Sequence, residues 1–129
     1  MSCPCGHSLP YEQCCGQYID AALLPKTPEA LMRSRYTAFV FSKIDYLANT
    51  MRGEALKKFH FDGLDNWLNQ IKWQGLTIIK STMRGNIHGF VSFEASYLEN
   101  GKTHLIREKS EFKKLEGKWF YIDGKIMKG

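Results

Sequence analysis

The chain has 129 residues, 43% of them hydrophobic and 13% aromatic, which excludes an intrinsically disordered protein because such chains lack the side chains that build a core. One domain is expected at this length, and no apolar run approaches the roughly 20 residues that a membrane-spanning helix needs. The net charge of +5 is spread along the chain, whereas a nucleic-acid-binding protein usually gathers its basic side chains on one face, so nucleic acid is not an expected partner.

The N-terminal segment, residues 1–18, holds all the cysteines of the chain, which are Cys3, Cys5, Cys14 and Cys15. The segment begins without the charged and apolar regions of a secretory signal peptide, so we expect a cytoplasmic protein. Reducing conditions in the cytoplasm disfavour structural disulfides. The thiols therefore need another role.

Four thiols within thirteen positions suit a tetrahedral sulfur site, for which zinc is the usual occupant. Free or redox-active thiols, and an iron or iron–sulfur occupant, are the alternatives. The adjacent Cys14 and Cys15 cannot both face one ion from a regular strand, so a turn or the first turn of a helix is expected there. A closed site of four thiolates has no open position for a substrate, so it would stabilise structure or present a surface.

Helices are predicted in the first half of the chain. Thr27 suits an N-cap and Pro28 the first helical position, which predicts a helix over residues 29–41. Residues 42–45 resemble a capping box and predict a second helix that ends near Met51. A third helix is predicted over residues 62–73, because its apolar side chains recur every three or four positions.

Strands are predicted in the second half, where the apolar pattern changes to strict alternation. The four candidates are residues 75–84, 88–98, 103–115 and 118–123. Asn100-Gly101 is a strong signal for a β-hairpin turn. Helices followed by an antiparallel meander predict an α+β fold, with the helices packed on one face of a curved sheet.

The third predicted strand carries a carboxylate on an apolar face. Ile106, Glu108, Ser110 and Phe112 alternate along this strand and share one face, which we expect to point inward. A carboxylate buried in this way either pairs with a cation or acquires a raised pKa suited to acid–base chemistry. A shift of register by one residue would instead leave Glu108 in solvent.

The cations expected near Glu108 are Arg33 and Arg35 on the first predicted helix. A structural ion pair that joins helix to sheet is the simplest interpretation. The alternative is a ligand-binding or catalytic role for Glu108, together with Arg35, Tyr36 and Ser110.

Several motifs make the sequence similar to a known family. Cys3-Pro4-Cys5-Gly6 followed by Tyr11-x-x-Cys14-Cys15-Gly16 resembles the SEC-C zinc motif. Further segments resemble the bacterial YchJ family, namely residues 30–39, Asp45-Tyr46-Leu47, Phe93-x-Ala95-x-Tyr97, Glu108-x-Ser110-x-Phe112 and Trp119-x-Tyr121-x-Asp123-Gly124. The matched segments occur in order along nearly the whole chain.

The resemblance implies a nuclear transport factor 2-like cone over residues 25–129, preceded by a SEC-C knuckle over residues 1–18 that holds Zn²⁺ through the four cysteines. It implies a metal site and a fold but no reaction. We therefore expect a non-enzymatic module that binds a protein partner through the knuckle. The alternative is an enzyme or small-molecule binder that uses the cone pocket around Glu108.

Overall fold

A four-stranded antiparallel sheet forms the second half of the protein. The computed structural model describes residues 2–127, so the predicted domain ranges 1–18 and 25–129 begin and end outside the described residues. The strands are β1 (Ile71–Arg84), β2 (His88–Glu99), β3 (Lys102–Leu115) and β4 (Lys118–Ile126), in the order β1-β2-β3-β4. The predicted meander and the α+β class are confirmed.

The turns between strands follow the sequence signals. Asn100 and Gly101 join β2 to β3 with φ values of 52° and 77°. Positive φ at both central residues is what a type I′ hairpin turn requires, and Asn-Gly adopts this conformation readily. Glu116 and Gly117 join β3 to β4 in the same way, with φ values of 52° and 82°.

Helices and one short 3-10 turn make up the first half. The 3-10 turn spans Tyr11–Gln13, and the α-helices are α1 (Gly16–Ile19), α2 (Pro28–Val40), α3 (Ile44–Asn49), α4 (Gly53–Lys58) and α5 (Leu64–Gln70). The predicted start of α2 is confirmed, because Thr27 Oγ1 accepts a hydrogen bond of 3.1 Å from the Ala30 N–H. Within residues 2–127 no helix has the length and apolar character needed to cross a membrane.

The predicted capping box at residues 42–45 is wrong. Ser42 has a φ of 56° and ends α2: its N–H donates to Phe39 O, and the Lys43 N–H donates to Ala38 O at 2.8 Å. These are the two bonds of a Schellman motif. Since Ser42 serves the end of α2, no side chain caps α3. The second helix also ends before Met51, which instead forms a bridge to Tyr121.

The third predicted helix is shorter than expected, and α4 was not predicted. Helix α5 ends at Gln70, and Ile71 and Trp73 belong to β1, where they pair with Glu99 and Tyr97. The helical spacing of apolar residues continues through Ile71. From Ile71 onward, however, the backbone forms hydrogen bonds with β2, so the helix ends before it. Gly53 begins α4 with a φ of 64°.

The core lies between α2 and the inner face of the sheet. Its buried residues are Leu31, Met32, Tyr36, Val91, Phe93, Ala95, Phe112 and Trp119. Helix α2 is buried on nearly every side, because the sheet covers one of its faces and the cysteine segment packs on another. Residues 50–52 cover the free edge of β4, since Thr50 O and the Arg52 N–H both bond to the Tyr121 backbone. Helix α2 therefore contacts the sheet with one face and the cysteine segment with another.

Candidate functional site

The four cysteines converge in a buried cluster at the N-terminal end of the protein. The Cys3 N–H donates to Leu9 O at 2.8 Å, which closes the first loop. Cys14 follows the 3-10 turn with an irregular backbone, and Cys15 precedes the first residue of α1. This turn-then-helix backbone lets the adjacent cysteines point to one centre.

The spacing of the sulfur atoms fits a metal ion. All four Sγ atoms lie within 4.8 Å of one another, and Cys5 Sγ is 3.6 Å from Cys14 Sγ. Four sulfurs bound to zinc at about 2.3 Å are separated by about 3.8 Å in a tetrahedron. None of the four cysteines forms a disulfide. The cluster is therefore compatible with metal binding.

Electrostatics within the cluster favour a cation at its centre. The neighbouring Cys15 thiol lowers the pKa of Cys5 to about 4. The same interaction raises the pKa of Cys15, and burial raises the pKa of Cys14 to about 12. One thiolate thus suppresses ionisation of its neighbours, and a central cation relieves that repulsion.

Gly16 follows the second cysteine pair because the space beside it is occupied. A Cβ at this position would lie 2.7 Å from Tyr11 O and 2.9 Å from Tyr11 Cε2. Tyr11 is held in turn by a hydrogen bond of 2.9 Å from its hydroxyl to Asp20 Oδ2. The motif residues Tyr11 and Gly16 therefore fix how the 3-10 turn packs on α1.

Arg33 ties the cysteine cluster to α2. Its Nη1 donates to Cys5 O at 2.8 Å, while its Nε bonds to Glu29 Oε2 at 3.0 Å. Thr37, one turn later on the same helix face, lies 3.8 Å from Cys3 Sγ through its Oγ1. The structure therefore places Arg33 at the cysteine cluster and away from Glu108, contrary to its expected place in the pocket.

The other face of α2 lines a cavity of about 410 Å³ between the helices and the sheet. Its aromatic wall consists of Tyr36, Phe39, Phe59, Trp67, Trp73 and Phe93. The rings of Trp67 and Trp73 meet edge to face with centroids 6.3 Å apart, and Trp73 meets Tyr36 in the same way at 5.5 Å. Such edge-to-face packing holds the wall in one shape.

The polar part of the cavity is organised around Glu108. Ser110 Oγ donates to Glu108 Oε2 at 2.6 Å, and the Tyr121 hydroxyl donates to the same oxygen at 2.9 Å. A Cβ on Gly124 would overlap the Tyr121 hydroxyl and lie 2.5 Å from Glu108 Oε2. The final glycine of the Trp119-to-Gly124 motif thus leaves room for this hydrogen-bonded group.

Arg35 reaches the cavity without pairing with Glu108. The side chain is 4% exposed, and its Nη1 donates to Leu47 O at 2.8 Å and to Thr50 Oγ1 at 2.6 Å. Its guanidinium carbon lies 4.8 Å from the Tyr121 ring centroid. Burial lowers the pKa of Arg35 to about 10, so it stays charged at neutral pH.

The predicted ion pair between Glu108 and Arg33 or Arg35 is therefore wrong. Among residues 2–127, neither arginine has a nitrogen within 4.0 Å of a Glu108 oxygen. Arg33 is used by the cysteine cluster, and Arg35 is held at the C-terminal end of α3, where backbone carbonyls and the helix dipole favour a cation. Arg35, Tyr36, Glu108 and Ser110 nevertheless line one cavity.

Some residues that line the cavity were not predicted from the sequence. Trp67 and Trp73 both line the cavity, although no motif or spacing predicted this role. Lys58 and Asp123 also line it and form an ion pair of 3.8 Å. Tyr121 shares a short motif with Gly124, and this was the one available sequence signal for its role.

The chain is similar to several known proteins. Residues 27–124 match the family described as the YchJ middle NTF2-like domain. A UPF0225 protein of Enterobacter sp. (strain 638) is 40% identical over 95% of this chain and 81% of its own length. The UPF0225 protein YchJ of Shigella dysenteriae serotype 1 (strain Sd197) is 41% identical over the same shares of the two chains.

A solved structure shares the whole architecture. The solution structure of a SEC-C motif containing protein from Rhodopseudomonas palustris superposes with a TM-score of 0.87 at 31% identity, covering 99% of this chain and 100% of that chain. This likeness includes the cysteine segment as well as the nuclear transport factor 2-like domain. The chain with its cysteine cluster and α+β cone therefore belongs to the YchJ family.

Proposed function

We propose that this protein is a receptor for a small organic molecule, which it binds in the cone cavity. The cavity around Glu108 is the observation that carries the proposal. Its volume of about 410 Å³ lies within the range of about 300–1,000 Å³ found for ligand sites. Aromatic walls with a few convergent polar groups are also typical of such sites.

The cysteine cluster has a structural role in this proposal. Zn²⁺ bound by Cys3, Cys5, Cys14 and Cys15 would close the knuckle, residues 1–18, and hold it on α2 beside the cone that begins near residue 25. Four sulfur ligands fill a tetrahedral zinc shell, so the ion would offer no position to a substrate. A cytoplasmic location fits this role, since reducing conditions keep the thiols available.

Binding is favoured over catalysis by the state of the polar groups. The Ser110 hydroxyl donates to Glu108 at 2.6 Å, an arrangement that could activate a nucleophile. Ser110 is fully buried, however, and its hydroxyl is engaged by Glu108 Oε2, which favours a role in holding the carboxylate over a role as a nucleophile. The contacts of Glu108 with Ser110 and Tyr121 instead hold the carboxylate in place, as a binding group requires.

The test uses the tryptophans as internal reporters in a ¹⁵N-labelled, metal-loaded protein titrated with 2-phenylethanol, a neutral aromatic probe. Trp67 and Trp73 line the cavity, whereas Trp119 donates its indole N–H to Lys26 O at 3.2 Å and lies outside the cavity. The indole signals of Trp67 and Trp73 should shift and saturate while that of Trp119 stays fixed. Equal shifts at all three indoles would refute cavity binding, and so would the absence of a saturable shift with this probe and with its charged phenyl analogues.

A second candidate function is docking of a protein partner through the knuckle. Leu9 and Phe41 are exposed, and the Phe41 ring meets Tyr11 of the knuckle edge to face at 5.1 Å. An exposed apolar group beside a rigid metal knuckle is a reasonable anchor for another protein. Nucleic acid remains an unexpected partner, because the basic residues are spread along the chain.

The docking function is tested by comparing the proteins that co-purify with the wild type, with Leu9→Ser and with Leu105→Ser. Leu105 is the matched control because it is 58% exposed, close to the 48% of Leu9, and because it belongs to β3 and not to the knuckle. A partner that Leu9→Ser loses and Leu105→Ser retains supports docking through the knuckle. Identical partner sets for all three proteins would end this hypothesis.

A further inference from the structure

Two groups of opposite charge line the cavity without pairing with each other. Both hydrogen bonds of the Arg35 guanidinium are made by Nη1, to Leu47 O and Thr50 Oγ1, which are uncharged acceptors. Both hydrogen bonds of the Glu108 carboxylate are made by Oε2. Among residues 2–127, neither charge has an ion-pair partner.

Charges held in this way have unused bonding capacity. Arg35 can still donate from Nε and Nη2, and Glu108 can still accept at Oε1, because the described bonds occupy only one atom of each group. A buried charge without a partner is costly. The Tyr121 side chain separates the two groups: its ring faces Arg35 and its hydroxyl binds Glu108.

The charge balance of the cavity limits what can bind. Lys58 and Asp123 form an ion pair of 3.8 Å and neutralise each other. Arg35 and Glu108 therefore determine the electrostatic potential inside the cavity. A ligand with one net charge would satisfy one of these groups and leave the other with a repulsive neighbour. A ligand with both charges would satisfy both groups and leave the cavity neutral.

We propose that the ligand is an amino-acid-like zwitterion with an aromatic or large apolar side chain, an inference that rests on the proposed cavity function. Its ammonium group donates to Glu108 Oε1, and its carboxylate accepts from Arg35. Its side chain lies against the wall that contains Trp67 and Trp73. The aromatic rings supply area for an apolar body and the two charges supply orientation.

The test compares four probes that share one phenyl ring: phenylalanine, 3-phenylpropionate, 2-phenylethylamine and 2-phenylethanol. Affinities are measured by NMR titration with wild type, Glu108→Gln and Glu94→Gln. Glu108→Gln keeps an acceptor for Ser110 and Tyr121 while removing the charge. Glu94→Gln is the matched control, because Glu94 pairs with Arg107 and does not line the cavity.

Phenylalanine should bind wild type and Glu94→Gln at least about tenfold more tightly than 3-phenylpropionate, the value expected for one charge-assisted hydrogen bond. In Glu108→Gln this ratio should fall below about threefold. Phenylalanine should also bind more tightly than 2-phenylethylamine, because phenylalanine offers a carboxylate to Arg35 and 2-phenylethylamine does not.

Each contrary result has a separate meaning. If 2-phenylethanol binds but the ratio is the same in wild type and Glu108→Gln, the zwitterion is refuted and the cavity function stands. If 2-phenylethylamine binds as tightly as phenylalanine, the role of Arg35 is refuted. If none of the four probes binds, the proposed function fails and this inference fails with it.

Discussion

Replacement of Arg33 by methionine isolates the bond that holds the knuckle on α2. Methionine keeps most of the apolar contact of the side chain and removes its charge and donors. The bond from Arg33 Nη1 to Cys5 O is 2.8 Å long, and charge-assisted bonds of this kind are worth about 1.5–3 kcal/mol. The ion pair with Glu29 involves side chains that are 17% and 36% exposed, so it contributes only about 0.3–0.5 kcal/mol.

The loss should appear in metal affinity, because a segment this short folds together with its ion. A cost of about 2 kcal/mol corresponds to about 30-fold weaker zinc binding for Arg33→Met. Competition with a chromophoric chelator measures this affinity. Glu29→Gln is the matched control and should change the affinity by less than about threefold. Unchanged affinity in Arg33→Met, or equal losses in both variants, would refute the reasoning.

Three further predictions concern the cone. Phe112 is 0% exposed, so Phe112→Ala should lower the free energy of unfolding in urea by about 3–5 kcal/mol. Leu115 is 42% exposed, so the control Leu115→Ala should cost less than about 1 kcal/mol. Similar losses in the two variants would show that Phe112 is not a core residue. Burial raises the pKa of Tyr36 from 10.0 to about 12, so its stabilising contribution is complete below pH 10 and is lost as the pH rises through 12. Tyr36→Phe should therefore reduce by about 2–3 kcal/mol the fall in the free energy of unfolding between neutral and strongly alkaline pH. An equal fall in the wild type and the variant would contradict this assignment. Gly124→Ala should displace the carboxylate of Glu108 and weaken phenylalanine binding about tenfold more than 2-phenylethanol binding; equal losses would show that the glycine does not serve the polar group.

Local signals in the sequence predicted most of the fold. The alternation along β2 and β3, the Asn100-Gly101 turn and the Thr27 cap depend on residues that are close in sequence, so their physics can be read from the chain alone. Ser42 was misjudged because its role depends on where α2 ends. The same hydroxyl residue can cap a helix or occupy a left-handed turn position after one, and only the surrounding backbone decides.

The residues of the site could be predicted from the sequence, but their hydrogen-bond partners could not. Strand alternation pointed Glu108 toward the helices, and the cysteine spacing identified the cluster. The partners of Arg33 and Arg35 could not be predicted, because Cys5 O and Leu47 O are backbone carbonyls that every residue carries. Their positions depend on how the knuckle and α3 pack on α2, which is information that no single motif contains.

The metal centre is the claim on which the knuckle, its bond to Arg33 and the reduced state of the thiols all depend. Elemental analysis combined with X-ray absorption spectroscopy of protein purified under reducing conditions tests it most directly. We predict about one zinc per chain, bound by four sulfur atoms at about 2.3 Å. A metal-free protein with disulfides between the four cysteines, or a zinc ion bound mainly by nitrogen and oxygen, would contradict the account.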